Sequence, residues 1–164
     1  MPTPTGPALA SGSTTVRAAP DAVFAVLTDL AGLASIAVEA DSMEWVSGTR
    51  AAPGAVFRGH NRNGVRRWST RCTVTDVDAG RAFAFDVDYG PRGVVPIAHW
   101  RYDLDPAPDG GTLVTERMWD RRPSWFVGFG GLATGVRDRA AGNTANIEAT
   151  LDRLRVVLER GGAH

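Results

Sequence analysis

Between Glu39 and Asp120 the sequence repeats one pattern: a short run of alternating apolar and polar residues, then a break rich in Gly, Pro or Asp. Alternation with a period of two predicts half-buried β-strands, and strands joined by such tight breaks form hairpins. The pattern therefore predicts an antiparallel sheet. Its strands are predicted at about 40–47, 55–63, 67–78, 81–89, 97–105 and 112–120.

Other elements are predicted on both sides of this region. Residues 13–17 form a short strand, followed by a helix in the run AVFAVLTDL, with Asp21 as its N-cap candidate, and by a second, weaker turn at 30–35. A long helix is predicted from about Val136 to Glu159, roughly 35 Å at 1.5 Å per residue. The order of elements predicts an α+β fold in which seven curved antiparallel strands surround the terminal helix.

Length and charge limit the kinds of partner. A chain of 164 residues suits one domain, which we assign to residues 13–160 behind a disordered tail at 1–12. Lys plus Arg and Asp plus Glu are both 18, so the total charge gives no support for binding nucleic acid or an anionic membrane. No run is long enough to span a bilayer, and stable membrane insertion is not expected. A single cysteine and an N-terminus without a signal-peptide pattern predict a soluble, cytoplasmic protein.

The alternation also predicts which residues face inward. The inward positions of the strands include Asn61, Trp68, Thr70, Cys72, Phe85, Trp100 and Met118. On the long helix, the inward stripe is small and polar around Asn143 and bulky from Ile147 onward. A helix thinned in this way should stand off from the sheet near Asn143. We therefore predict a cavity there for an apolar small molecule, bound by these nine residues.

Four segments resemble the START-like superfamily, which includes polyketide cyclase/dehydratases, Bet v 1-type proteins and lipid-transfer domains. They are AAPDAVFAVLTDL at 18–30, GAVFRGHNRNGVRRWSTRCTV at 54–74, AHWRYDLDPAPDGGTLVTE at 98–116 and RAAGNTANIEATLDRL at 139–154. The resemblance implies the helix-grip fold. In aromatic-polyketide cyclases a pocket Tyr, Ser and Arg position the substrate; the matching positions here are near Ala40, at Thr70 and at Cys72.

Glu116 and Tyr102 are the candidate catalytic residues. If Glu116 points inward, burial should raise its pKa and make it a general acid or base. The alternative, which we favour from sequence alone, is that the strand twists and Glu116 pairs with an arginine at the edge of the sheet. Tyr102 either donates a proton or only packs its ring and finds one acceptor.

The remaining polar residues have both structural and binding interpretations. Asn61, Thr70 and Asn143 either hydrogen-bond a ligand or satisfy one another, and Cys72 is interpreted as a small core residue. His60 and His99 fall on the outward phase, so no metal site is predicted, and no cofactor is expected. The Gly-rich run after Pro123 is interpreted as a lid over the cavity. Its aromatic residues, Trp125, Phe126 and Phe129, alternatively pack as a linker or form a homodimer contact.

The first functional interpretation is a polyketide cyclase/dehydratase-type protein that positions a polyketide-like molecule in a dry cavity and moves a proton without a metal. The second is a non-catalytic carrier or sensor for a lipid or secondary metabolite. A helper domain that recognises another protein is the third, and it would need a collapsed cavity.

Overall fold

One antiparallel sheet dominates the computed structural model, which describes residues 3–90, 92–126 and 139–161. In these residues seven strands lie in the spatial order β1-β7-β6-β5-β4-β3-β2. The strands are β1 (Ala10–Val16), β2 (Ala40–Ser47), β3 (Val56–Asn63), β4 (Arg66–Asp78), β5 (Ala82–Tyr89), β6 (Val95–Pro106) and β7 (Thr112–Asp120). The strands predicted between Glu39 and Asp120 are confirmed, each to within two residues at either bound.

The longer helices lie on both sides of the strand region, while a 3-10 helix (Pro108–Gly110) joins β6 to β7 and residues 124–126 form a helical turn after β7. Helices α1 (Pro20–Thr28) and α2 (Leu30–Ile36) follow β1, and the long helix α3 (Arg139–Gly161) closes the chain. The predicted first turn of α3, residues 136–138, lies outside the described residues. No helix among the described residues combines the length and the apolar character that crossing a membrane requires.

The predicted N-cap of the first helix is wrong. Ala19 holds that position without a side-chain hydrogen bond, and Pro20 begins α1. Proline suits the first helical position because its fixed φ fits the helix and its missing N–H would have no helical partner. Asp21 therefore lies in the first turn, where its charge favours the helix dipole. The side-chain cap occurs one helix later, where Asp29 accepts a hydrogen bond from the backbone N–H of Gly32 at 2.9 Å.

The predicted boundary of the N-terminal tail is also wrong. Strand β1 begins at Ala10, which pairs with Met118 of β7, three residues before the predicted start. The contact continues upstream, because Leu9 N donates to Met118 O at 2.8 Å and Trp119 Nε1 donates to Gly6 O at 3.0 Å. One backbone carbonyl and one indole N–H of β7 thus find partners that a disordered segment would not supply.

The sheet curves around α3. The pairing register shifts within β2–β3, β4–β5 and β5–β6, and such irregularities bend and twist a sheet. Helix α3 packs against β1, where Gly12 lets it approach closely: a Cβ on Gly12 would lie 2.7 Å from Ile147 Cγ2. The core fills the space between the inner face of the sheet and the three helices.

Candidate functional site

A cavity of about 160 Å³ lies between the inner face of the sheet, the end of α2 and the first half of α3. The cavity is lined by eight of the nine predicted ligand-binding residues and by both candidate catalytic residues: Asn61, Trp68, Thr70, Cys72, Phe85, Trp100, Tyr102, Glu116, Met118 and Asn143.

Ile147 is the exception, and its predicted place in the cavity wall is wrong. Its side chain is fully buried, but it packs against Gly12 of β1. The cavity-facing residues of α3 are instead Asn143, Asn146 and Thr150, which recur at helical spacing on the neighbouring face. The buried face of α3 therefore contacts two surfaces. Ile147 packs against β1, and the polar residues Asn143, Asn146 and Thr150 line the cavity.

Glu116 points inward, so the edge pairing with an arginine that we favoured from sequence is wrong. Glu116 and Tyr102 are direct neighbours across β7 and β6, and both are almost completely buried, at 2 % and 3 % exposure. The Tyr102 hydroxyl donates to Glu116 Oε1 at 2.8 Å. The second oxygen, Oε2, has no hydrogen-bond partner in the described part of the chain.

This environment changes the acidity of both groups. Burial raises the pKa of Glu116 to about 8, although the hydrogen bond from Tyr102 acts in the opposite direction. Burial and the neighbouring Glu116 raise the pKa of Tyr102 well above its usual value. At neutral pH the cavity wall therefore contains a mainly protonated carboxylic acid beside a neutral phenol, and the acid can exchange a proton close to neutrality.

The other polar groups in the wall are partly satisfied by one another. Asn61 Nδ2 donates to Thr70 Oγ1 at 3.2 Å, and Thr70 Oγ1 lies 3.8 Å from Cys72 Sγ. Asn143 is separate from them, since its Nδ2 lies 3.7 Å from Met118 Sδ. Of the three polar residues predicted to act together, Asn61 and Thr70 form a hydrogen-bonded pair on the sheet, and the amide of Asn143 on α3 is not part of it.

Cys72 matches its interpretation as a core residue. Burial raises the pKa of the thiol to about 12, and the contact with Thr70 acts in the opposite direction. A thiol with such a pKa stays protonated at neutral pH and is a poor nucleophile. No group of three or more metal-ligating side chains occurs within residues 3–90, 92–126 and 139–161.

Several lining residues escaped the sequence analysis. Arg122 lies just beyond β7 and is held by Asp120, with its NH2 group 2.6 Å from Asp120 Oδ2. The segment from Ala37 to Glu39, which joins α2 to β2, also lines the cavity. These residues lie where strand alternation has stopped, so periodicity could not place them.

Only part of the predicted lid can be placed. Trp125 is 71 % exposed, whereas Phe126 is buried and packs on Tyr89 with ring centroids 5.7 Å apart. Phe129 and most of the Gly-rich run lie outside the described residues. Phe126 thus packs as the linker interpretation of this segment predicts, whereas Trp125 is exposed.

The outer face holds a buried polar pair that the sequence analysis missed. His99 is only 2 % exposed, and its Nδ1 donates to Asp86 Oδ1 at 2.7 Å. Burial would raise the pKa of Asp86, but the hydrogen bond from His99 and the charge of Arg121 lower it overall. The outward phase of His99 was correct. Its burial reflects the ring of Trp119, 5.6 Å away, which is tied to the N-terminal segment.

Comparison with known proteins identifies relatives of this fold. Residues 8–159 match the profile of the family described as polyketide cyclase / dehydrase and lipid transport. No curated protein is similar enough in sequence to match the chain.

Solved structures add to this result. A conserved protein from Geobacillus kaustophilus aligns with a TM-score of 0.69 at 18 % identity, over 92 % of this chain and 94 % of that one. A polyketide-cyclase-like protein from Corynebacterium glutamicum gives 0.63 at 21 % identity, over 98 % and 99 %. DynU16, a protein of the dynemicin biosynthetic locus, gives 0.62 at 18 % identity, over 93 % of this chain and 47 % of that one. At these identities the likeness concerns the fold, and with the family match it confirms the START-like superfamily expected from the sequence.

Proposed function

The chain belongs to the polyketide cyclase/dehydrase and lipid transport family, and we propose that it binds a compact, largely apolar ketone or polyketide-like molecule in its cavity and transfers a proton to or from it. The observation that carries the proposal is the buried Glu116–Tyr102 pair in the cavity wall. The protein similar in fold from the dynemicin biosynthetic locus fits a role in secondary metabolism.

The size and lining of the cavity define the ligand class. Its volume of about 160 Å³ is below the roughly 300–1,000 Å³ of many small-molecule sites and close to the ~150 Å³ cavity that holds one benzene molecule. Trp68, Trp100 and Phe85 supply flat apolar surface, and Thr70 and Asn143 supply polar atoms beside it. A one- or two-ring molecule with a carbonyl group suits this wall.

The proposed chemistry is acid–base catalysis without a covalent intermediate. Ionised Glu116 removes a hydrogen next to the ligand carbonyl, and the resulting enolate oxygen accepts a hydrogen bond from Tyr102. In a cyclisation, the enolate carbon attacks a second carbonyl of the same molecule, and protonated Glu116 returns the proton to the new alkoxide. Because the pKa of Glu116 is about 8, both protonation states are accessible near neutral pH.

A second candidate is a carrier that holds the same kind of ligand without turnover. Two observations favour it. Asn61 and Thr70 already form a hydrogen bond with each other. The positions that the resemblance matches to the Tyr and Arg of aromatic-polyketide cyclases are near Ala40 and at Cys72, which has no guanidinium group. Binding and proton transfer therefore need separate tests.

Binding is tested with 2-naphthol, a two-ring fluorescent phenol, in a calorimetric titration. Thr150→Phe should abolish binding because Thr150 lines the cavity and the added ring occupies a space of about one ring. Glu148→Phe introduces the same side chain on the exposed face of α3, and it should leave affinity unchanged. Equal affinity of the Thr150→Phe variant would contradict the cavity as the binding site.

Proton transfer is tested with 2-tetralone, a two-ring ketone, by following exchange of its α-hydrogens for deuterium. The protein should accelerate exchange, and the rate should rise with pH up to about 8 as Glu116 ionises. Glu116→Gln should lower the rate by about 100-fold or more, the usual contribution of a general base. If the natural protein binds 2-naphthol but does not accelerate the exchange of 2-tetralone, the carrier is the correct function. If Glu116→Gln exchanges 2-tetralone as fast as an active natural protein, Glu116 is not the base.

A further inference from the structure

The most exposed apolar side chains of the described residues share one end of the sheet. Val65, Val94 and Trp125 are 94 %, 72 % and 71 % exposed, and no other large apolar side chain in the described ranges exceeds 43 %. Val65 lies in the β3–β4 turn, Val94 in the β5–β6 connection and Trp125 just beyond β7. Exposure of this degree on two loops and one helical turn is unusual unless these segments contact something apolar.

The strand pairing places these three segments at the same end of the sheet. β3 and β4 meet at Asn63 and Arg66, and β5 and β6 meet at Tyr89 and Val95. In an antiparallel sheet both turns lie at the same end, and β7 also ends there, with Asp120 paired to Ala98 near the start of β6. We call this the mouth end.

The cavity opens at the mouth end. Its lining includes residues from the start of β2, the start of β6 and the segment after β7, such as Ala40, Ile97 and Arg122. Val38, also in the lining, is 36 % exposed. An apolar ligand that leaves the cavity here emerges at the same end of the sheet as Val65, Val94 and Trp125.

Unpaired positive charge accompanies the apolar loops. Several arginines at the mouth end are held by carboxylates: Arg62 and Arg67 by Asp41, Arg121 by Asp86 and Asp88, and Arg122 by Asp120. Arg66 and Arg92 are exposed and form no ion pair with a described residue. They flank Val65 and Val94 in the sequence. Although the total charge of the chain is zero, Arg66 and Arg92 place positive charge without a described ion-pair partner beside its most exposed apolar side chains.

We propose that the mouth end docks on the surface of an anionic membrane, with Val65, Val94 and Trp125 dipping into the headgroup region and Arg66 and Arg92 contacting lipid phosphates. Apolar side chains on protruding tips, interleaved with arginines, suit a soft interface, where tryptophan is favoured. A protein partner would instead need a continuous packed patch of roughly 800 Å². Docking opens the cavity toward the bilayer, so that an apolar ligand transfers without crossing water; this last role rests on the ligand binding proposed above.

The test uses the whole protein and sedimented vesicles of phosphatidylcholine with about 30 % phosphatidylserine. The natural protein should sediment with them, and its tryptophan emission should shift to the blue as Trp125 leaves water. Each arginine near an anionic surface contributes on the order of fivefold in affinity, so Arg66→Gln with Arg92→Gln should weaken binding by about 25-fold. Val65→Ser with Val94→Ser should also weaken binding, and that loss should persist at high salt.

Matched variants at the opposite end of the sheet control for total charge and apolarity. Arg50→Gln with Arg81→Gln makes the same change in charge on the β2–β3 and β4–β5 connections, and Val156→Ser with Val157→Ser removes exposed valines of α3. Both pairs should bind vesicles as the natural protein does. Failure of the natural protein to sediment, equal losses in the control pairs, or binding only to an acidic protein would overturn the proposal. Titration of the same variants with 2-naphthol separates this outcome from failure of the cavity proposal, because all of them should still bind it.

Discussion

Replacing Glu116 by Gln should change how the stability of the protein depends on pH. The carboxyl group is 2 % exposed, and its hydrogen-bond partner is the neutral hydroxyl of Tyr102. Ionisation therefore places a negative charge in a buried wall, where no ion pair with a described residue balances it. Glutamine has nearly the same shape and remains neutral at every pH.

The magnitude follows from the two pKa values. Burial raises the pKa of Glu116 from 4.5 to about 8. Between these values the folded protein keeps a proton that the unfolded chain has lost, so the free energy of unfolding falls by about 1.4 kcal/mol for each pH unit. The stabilisation is complete below about pH 4.5 and is lost as the pH rises through 8, a total of roughly 4–5 kcal/mol.

The assay is urea denaturation at a series of pH values from about 5 to 9, chosen to span this window. The natural protein should lose stability relative to Glu116→Gln across the window, because every other titrating group is common to both. Tyr102→Phe is a second comparison: its missing hydroxyl no longer lowers the pKa of Glu116, so the decline should extend to higher pH. Parallel curves for the natural protein and Glu116→Gln would refute the buried, neutral carboxyl.

Three further predictions concern packing and local structure. Gly12→Ala should lower the free energy of unfolding by about 1–3 kcal/mol, since the new Cβ meets Ile147 at 2.7 Å. The control is Ser13→Ala, which changes the next, exposed residue of β1. The denaturant midpoint measures the stability of both variants. Asp29→Ala should cost about 0.5–2 kcal/mol through the lost hydrogen bond to Gly32 N, whereas Asp21→Ala, which removes no cap, should cost less. Cys72, with a pKa of about 12, should react with an aromatic disulfide reagent at neutral pH only after unfolding, and rapid reaction of the folded protein would show that the thiol is accessible.

The sequence predicts the sheet far better than it predicts how the helix lies on it. Alternation assigns each strand residue to one of two faces, so Thr70, Trp100 and Met118 could be placed in the cavity wall before any coordinates. The side chains of a helix point in all directions around its axis, so a sequence pattern does not assign each residue to one of two faces. The apolar stripe of α3 was continuous through Ile147, and only the close approach at Gly12 shows that this residue faces β1 while Thr150 faces the cavity.

The other errors arise from contacts between segments distant in sequence. Alternation left the phase of β7 uncertain, and the structure assigns Glu116 inward because it pairs across the strands with Tyr102. His99 was expected on the outer face, but its burial needs Trp119 and the N-terminal segment, which composition had marked as disordered. The segment around Ala37 lines the cavity through its position after α2, which no local pattern encodes.

Strand β1 pairs with β7, which is synthesised about a hundred residues later, and it pairs with no other strand of the described residues. Bringing such distant segments together costs chain entropy before any contact compensates for it, which makes folding slow. Until β7 and α3 have been synthesised, the apolar concave face of the sheet, which later forms the ligand cavity, is exposed to water and to other nascent chains. Accordingly, a protein shortened before Asn143 should accumulate as aggregate, whereas one shortened at Ala10 from the other end should lose only the contacts made by residues 3–9.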